Sequence, residues 1–322
     1  MKAIEQLDGQ LVWADQEDLS PGVGEILIAN RATAVNRADL MQARGAYPPP
    51  PGASPIMGLE CAGEVTAVGE GVARYKTGDT VCALLSGGGY AQQVCVPAGQ
   101  ALPVPKGFSF EQAAAIPEVF ATAYLNLFGE AQLQRTERVL LHAGASGVGT
   151  AGIQLCKAFG SECFVTVGSE EKLARCKELG AKNGCNRHSA SFAELVPEWT
   201  EQHGIDVILD PVGGSYLADN LASLALEGRL VLIGLMGGMT AELSLAMLLM
   251  KRLRIVGSTL RARTIAAKSR IMSDLEQHVW PKLESGEIQA MVDTVMSVQD
   301  IEKAHSLIDS DKTFGKVILS IP

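Results

Sequence analysis

The chain has no uninterrupted apolar run near the roughly 18 residues that a membrane-spanning helix needs. Its longest candidate, LSLAMLLM (243–250), is too short and runs straight into Lys251 and Arg252. The opening residues, MKAIEQLDGQLVWADQ, lack the apolar centre of a secretion signal, so a cytoplasmic location is expected. Basic residues are outnumbered, 27 against 36 acidic ones, and the net charge of −9 disfavours nucleic acid or an anionic membrane as partner. The seven cysteines (61, 82, 95, 156, 163, 176, 185) include no C-x-x-C pair, and most sit in apolar runs where a free thiol acts as a small hydrophobe. Neither a disulfide framework nor a zinc knuckle is expected. The five histidines show no metal-ligand or triad spacing, His142 reads as a strand residue, and no G-x-S-x-G nucleophile elbow occurs. Repeats and low-complexity linkers are absent too. What is left is an ordinary globular composition, 47% hydrophobic and 20% charged, over 322 residues, enough for two domains.

Two textures follow one another. Up to residue 117, short strand-like runs such as EILIANRATAVN, AGEVTAVG, DTVCALL and AQQVCVP are parted by YPPPPGASP and SGGG, which predicts a β-rich region. EVFATAYLNLFGEA then has helical spacing, and strands alternate with helices: RVLLH (138–142), CFVTV (163–167), DVILD (206–210), RLVLIG (229–234) and RIVGST (254–259). That alternation predicts a parallel sheet with crossover helices. Beyond about 260 come one amphipathic helix, IAAKSRIMSDLEQHVWPKL, and a closing strand, GKVILSI.

Between RVLLH and the next helix lies the most specific local pattern, GASGVG (144–149). A strand, a bare glycine turn and a helix N-terminus make an anion site, because amide N–H groups and the helix dipole face the ligand and no side chain blocks a pyrophosphate. Aligned on G-x-G-x-x-G, Gly144 makes the turn, Gly149 permits close helix–strand packing, and Ser146 replaces the middle glycine. The backbone of Gly144, Ala145, Ser146, Gly147, Val148 and Gly149 is therefore the expected dinucleotide cradle. An NAD site usually ends the second strand with an acid for the ribose 2′-OH. Here Gly168 and Ser169 follow, leaving room for a 2′-phosphate contacted by Ser169, Lys172 and Arg187, which selects NADPH. The opposing reading gives Glu170 or Glu171 to an NAD ribose; both also fit as first-turn acids favoured by the dipole.

GLECAGEVTAVGEGV (58–72), followed by YKTGDTV, resembles the medium-chain dehydrogenase/reductase signature G-H-E-x2-G-x5-G-x2-V, with Leu59 in place of histidine. AVNRADL puts Asn36 where a cysteine ligand stands in zinc-dependent members, and no four-cysteine lobe is present. Catalytic zinc needs Cys, His or carboxylate ligands, so a zinc-free member, with no metal site, is expected. VNRADLMQARGAYPPPPGAS (35–54), AAAIPEVFATAY, HAGASGVGTAGIQ, ILDPVGGSY and LIGLMGG resemble the zinc-independent quinone oxidoreductases, the zeta-crystallin-like family, and among them the tumour-suppressor-inducible group. The resemblance implies an α/β chain: a GroES-like catalytic domain, residues 1–117 with 260–322, and a Rossmann domain, 118–259. It further implies an active site in the cleft between them, and a homodimer for which LSLAMLLMKRLRIVGS is the candidate surface, or else core.

A quinone is electrophilic enough to accept hydride without a Lewis acid, whereas simple alcohols and ketones need polarisation. Loss of the ligands thus points to NADPH-dependent reduction of quinones or activated enones. By the resemblance, Tyr47 covers the nicotinamide and its hydroxyl can hold the developing oxyanion; a packing tyrosine is the alternative. Asn36 donates to cofactor or substrate, or else caps a turn. Ser146 bonds the cofactor or merely stays small. Gly234, Leu235 and Met236 line the nicotinamide site, and Gly315 with Lys316 closes the cofactor end. Two other activities stay open: an enoyl-thioester or alkenal reductase, and a non-enzymatic NADPH-binding structural or RNA-associated protein.

Overall fold

The structure is a computed structural model describing residues 1–7 and 9–322. It divides into two compact units, Met1–Ala121 with Leu260–Pro322, and Thr122–Thr259. The first boundary falls within a helix, Pro117–Tyr124, rather than ahead of it.

In the unit Thr122–Thr259, six parallel strands lie in the order Asn183–Asn186, Glu162–Val167, Arg138–Leu141, Ile205–Asp210, Leu224–Leu232, Arg254–Gly257. The first strand of the unit is central and the order reverses beside it, which makes the carboxyl end of Arg138–Leu141 the switch point where such sheets bind ligands. Val139, Leu140, Leu141, Phe164, Ile208 and Leu230 are wholly buried, as a sheet covered on both faces requires. The Asn183–Asn186 strand was not legible beforehand, because Asn-Gly-Cys-Asn carries no β-branched residue. Gly184 lets it approach its neighbour: a Cβ there would strike the Val165 carbonyl.

Two helical expectations are corrected. EVFATAYLNLFGEA is α-helical over Pro117–Tyr124 and then widens to a π-helix over Leu125–Glu130, with the Ala131 N–H reaching back to the Asn126 carbonyl at 3.0 Å. The long helix beyond 260 is broken at Val279 into Ile265–His278 and Trp280–Glu284, the second carrying Pro281 in its first turn, where a missing N–H costs nothing.

The other unit holds a two-stranded sheet, Lys2–Leu7 with Gln10–Asp15, and a seven-stranded sheet organised on the long strand Glu25–Ala34. One half of that strand pairs with Gln93–Pro97 and the other half with the C-terminal strand Lys316–Ser320; Glu60–Val68 runs along most of its length. Thr80–Leu84 and Ala101–Pro103 continue the sheet on one side, and Val292–Ser297, a strand that the sequence did not announce, on the other. The C-terminal segment is thereby stitched into the N-terminal fold, and Val317 and Leu319 join a core with Val35, Leu40 and Tyr90. Among the described residues no helix is long and apolar enough to cross a membrane.

Candidate functional site

The glycine turn follows strand Arg138–Leu141 at the switch point and feeds the 13-residue helix Gly147–Phe159. Ser146 is the N-cap: its Oγ accepts the Gly149 N–H at 3.0 Å and its carbonyl the Thr150 N–H at 2.8 Å. Gly147 and Val148, at the first two helical positions, have no intrahelical carbonyl to bond, so their amides are presented outward with the positive end of the dipole. Gly144 packs on the next strand, where a Cβ would lie 2.7 Å from the Val165 side chain. Gly149 serves a different contact from the one expected: its Cβ would sit 2.5 Å from the Ala143 and Gly144 carbonyl oxygens, so it fits helix to turn. The close helix–strand approach belongs to Gly152, whose Cβ would lie 3.0 Å from Leu141. Ala145 is buried and Ala143 takes φ +52° to turn the chain. The Ser146 hydroxyl proton remains free to donate after its oxygen has capped the helix.

Ser169 caps the helix Glu170–Leu179, its Oγ accepting the Lys172 N–H at 3.2 Å. The Arg187 N–H donates to the Val167 carbonyl at 2.9 Å, which brings Gly168, Ser169, Lys172 and the exposed Arg187 together at the carboxyl end of the second strand. Lys172 is largely buried. Glu170 and Glu171 stand in the first turn of that helix. Below the turn, His142 is buried with Nδ1 2.9 Å from Thr166 Oγ1 and Nε2 2.7 Å from Asn220 Oδ1; burial pulls its pKa down to about 4, which keeps it neutral. Asn220 in turn donates to Asp210 at 2.9 Å, and Asp210 also holds the Val212 and Gly213 amides. Gly234 to Met236 run alongside this loop: the Met236 N–H meets the Pro211 carbonyl at 3.2 Å, while the Leu235 and Met236 side chains are exposed.

The second constellation lies wholly in the other unit and was only partly anticipated. Glu60, fully buried on its strand, forms an ion pair with Lys316 at 2.8 Å. Glu60 Oε1 also accepts from Asn36 Nδ2 at 3.0 Å, and Oε2 accepts the Glu118 N–H at 2.8 Å. Lys316 spends its remaining protons on the Val35 carbonyl at 3.0 Å and Asn36 Oδ1 at 2.7 Å. This corrects two expectations. Lys316 cannot close a cofactor site, since all three donors are consumed inside the fold. Asn36 faces inward as a bridge between Glu60 and Lys316, rather than toward a ligand. Gly315 has a structural duty: at φ +92°, a Cβ on it would collide with the Met291 carbonyl. Asp39, fully buried near this network, accepts from the Gly58 N–H at 3.0 Å and the Tyr90 hydroxyl at 3.0 Å; burial raises its pKa to about 6.

Tyr47 is half-buried, with the buried Arg261 guanidinium over its ring at 5.4 Å. Arg261 fixes the tyrosine loop by donating to the Tyr47 carbonyl at 3.3 Å, Gln42 Oε1 at 2.7 Å and the Ser86 carbonyl at 2.9 Å. Lys268 ties the same corner together through Ser86 Oγ and the Arg261 carbonyl. The Tyr47 hydroxyl has no hydrogen-bond partner among the described residues. Burial, reinforced by Glu118, raises its pKa, so it stays a proton donor at neutral pH. Glu118 itself is pushed up to about 8 by burial, then by the charge of Glu60. Its place in the first turn of a helix opposes that shift, but a dipole contribution of about 0.3–1 kcal/mol is less than one pKa unit. Glu60, Glu118, Arg261 and Lys268 escaped the sequence reading. The available signal was charge inside apolar context, as in MGLECAG and AAAIPEVF.

The alcohol dehydrogenase GroES-like domain family matches residues 22–106, and the zinc-binding dehydrogenase family matches residues 147–277. A mycobacterial structure complexed with NADPH is 30% identical, with all of both chains covered and a TM-score of 0.87. The quinone oxidoreductase of Pseudomonas syringae pv. Tomato DC3000 is 29% identical, covering 99% of each chain, at TM-score 0.88. The CurK enoyl reductase is 28% identical over 100% of this chain and 99% of its own, at TM-score 0.85. A phthioceranic/hydroxyphthioceranic acid synthase of Mycobacterium tuberculosis is 38% identical over 214 residues; that match takes in 66% of this chain but only 10% of the synthase. Despite the zinc in one family description, Leu59 is buried and apolar and the Asn36 amide is committed. Among the described residues no three His, Cys, Asp or Glu side chains gather as a ligand set.

Proposed function

As the chain belongs to the medium-chain dehydrogenase/reductase family, we propose that it is a zinc-independent, NADPH-dependent reductase of quinones or activated enones. The single observation that carries this is the pairing of a bare pyrophosphate cradle at the switch point with a metal-ligand pair replaced by Leu59 and Asn36. The cradle fits a dinucleotide: any side chain on Gly144 or Gly149 would meet protein atoms, and the helix offers unspent amides to an anion. Ser146 is free to donate its hydroxyl proton, and Ser169, Lys172 and Arg187 would hold the 2′-phosphate. Once bound, NADPH supplies a hydride from C4 of its nicotinamide.

The chain's own contribution is placement and charge. Gly147 and Val148 neutralise pyrophosphate charge through their amides. Tyr47, its loop fixed by Arg261, donates its unpartnered hydroxyl to the oxygen on which negative charge develops, an interaction stronger in the transition state than in the ground state. An acceptor that is already electron-poor needs no more electrophilic help than this, which is why quinones rather than plain ketones fit. A second reading, reduction of an enoyl thioester, is favoured by the likeness to the CurK enoyl reductase and uses the same hydride step on a C=C bond.

Steady-state rates with quinones, alkenals and enoyl thioesters, each with NADPH and with NADH, test the reading. Rapid quinone turnover with NADPH, weakened selectively by Lys172→Ala, is the expected result. Equal efficiency with both cofactors would sink the 2′-phosphate assignment, and turnover of enoyl thioesters alone would transfer the activity to the second reading.

A further inference from the structure

Glu118 is the one acid of the Tyr47 corner that the placement of hydride and oxyanion leaves without work. Its carboxyl has no hydrogen-bond or ion-pair partner among the described residues, although its own N–H is spent on Glu60. The surrounding cations are all engaged elsewhere: Lys316 with Glu60, Asn36 and Val35; Lys268 with Ser86 and the Arg261 carbonyl; Arg261 with Ser86, Tyr47 and Gln42. A carboxylate there would be a second anion beside Glu60, which already holds Lys316, the Asn36 amide and the Glu118 N–H, and it would be half-buried with no direct ion-pair partner of its own. The geometry thus favours a neutral acid, which is also the form that can give up a proton.

Resting on the reductase reading above, we propose that Glu118 is the proton reserve of this site: its neutral carboxyl releases the proton that the acceptor takes up after hydride transfer, and then recovers one from water. For a quinone the balance is complete. Hydride adds two electrons and one hydrogen to give the hydroquinone monoanion, NADPH leaves as NADP⁺, the Glu118 O–H breaks, and the new O–H forms on the monoanion. The resulting carboxylate is reprotonated by water, and Tyr47 keeps its own proton throughout. The charged and titratable groups facing Glu118 are Glu60 and Lys316 on their strands, Asp39 on the helix Arg37–Ala43, Lys268 on the helix Ile265–His278, and the loop residues Tyr47 and Arg261. Of these, Asp39 titrates about two pH units lower than Glu118, and Tyr47 above its ordinary value, so the window near pH 8 belongs to Glu118.

The test compares the full-length protein with Glu118→Gln, using NADPH and 1,4-benzoquinone from pH 6 to pH 9.5. The expected wild-type kcat is flat at low pH and falls as pH rises through about 8, because the acid form is lost. Glu118→Gln should lose that inflection and at least about tenfold in kcat at pH 7, with KM for NADPH unchanged. Infrared difference spectra supply a readout independent of turnover: a neutral carboxylic C=O band at pH 7 that disappears by pH 9 and is missing in Glu118→Gln. A variant that retains the wild-type rate and inflection overturns the proposal, as does an ionised Glu118 at pH 7. A wild-type protein that reduces no acceptor overturns the reductase reading, and the reserve's role goes with it whatever the infrared band shows.

Discussion

Lys316→Met is the perturbation whose cost the structure sets most firmly. The Lys316 ammonium is 4% exposed and lies 2.8 Å from a Glu60 carboxylate that is 0% exposed. At an effective dielectric of about 20 the gross attraction at that distance is about 6 kcal/mol. Desolvation of two ions consumes most of it, so the pair is a weak net contributor while intact. Removing the cation alone is a different matter, because Glu60 would remain charged and buried with only Asn36 and the Glu118 amide to face it. A loss of about 3–5 kcal/mol is expected. Glu60→Gln in the Lys316→Met background should recover most of that, since the uncompensated charge is gone and the one amide oxygen can still accept the Glu118 N–H. A double-mutant cycle by denaturant unfolding of the full chain, at pH 7, reads a coupling of at least about 2 kcal/mol. A single-variant loss under about 1 kcal/mol, or a double variant no more stable than Lys316→Met, would refute the picture of a buried pair held by its whole network.

Further outcomes follow from other parts of the fold. Gly149→Ala should raise the Kd for NADPH at least about tenfold, read by fluorescence titration, because its Cβ must displace two turn carbonyls 2.5 Å away; unchanged affinity would remove the turn from the cofactor site. Tyr47→Phe should lower kcat by about ten- to a hundredfold with the NADPH Kd preserved, the loss belonging to a donor used in the transition state. An unaltered kcat would show that the ring only packs. The helix Leu245–Met250 is divided: Met247 and Leu248 pack against the core, whereas Leu245, Leu249 and Met250 are 63%, 75% and 75% exposed, beside the edge strand Arg254–Gly257. We therefore propose that a second copy of the chain covers it, and Leu249→Glu should shift the mass in sedimentation equilibrium from dimer to monomer; a wild-type monomer would end that proposal.

What could be read from the sequence was what depends on neighbours in sequence. The glycine turn announced itself because strand, turn and helix N-terminus are contiguous, and the β/α alternation because each run has its own periodicity. Gly149 was placed rightly yet given the wrong contact, since which backbone it touches is a matter of how the turn folds back. Asn36 and Lys316 were picked out for ligand roles, but they meet each other across 280 residues, and no pattern along the chain signals that meeting. Glu118 was hidden for the same reason: its character is decided by burial and then by Glu60, with Lys316 opposing, and neither residue is near it in sequence. The Asn183–Asn186 strand is held by its neighbour and by a glycine's slimness rather than by its own propensity.

The pairing of Glu25–Ala34 with Lys316–Ser320 has a consequence for biosynthesis. Val35 and Lys316 are separated by 281 residues, so when the ribosome has finished the nucleotide-binding unit, the first unit still waits for the strand that fills its sheet and for the cation that balances Glu60. Contacts of such separation form late and slowly. A nascent chain stalled before that strand would carry an uncompensated acid in an unfinished sheet, prone to capture by chaperones, while its Thr122–Thr259 portion already protects its amides from exchange.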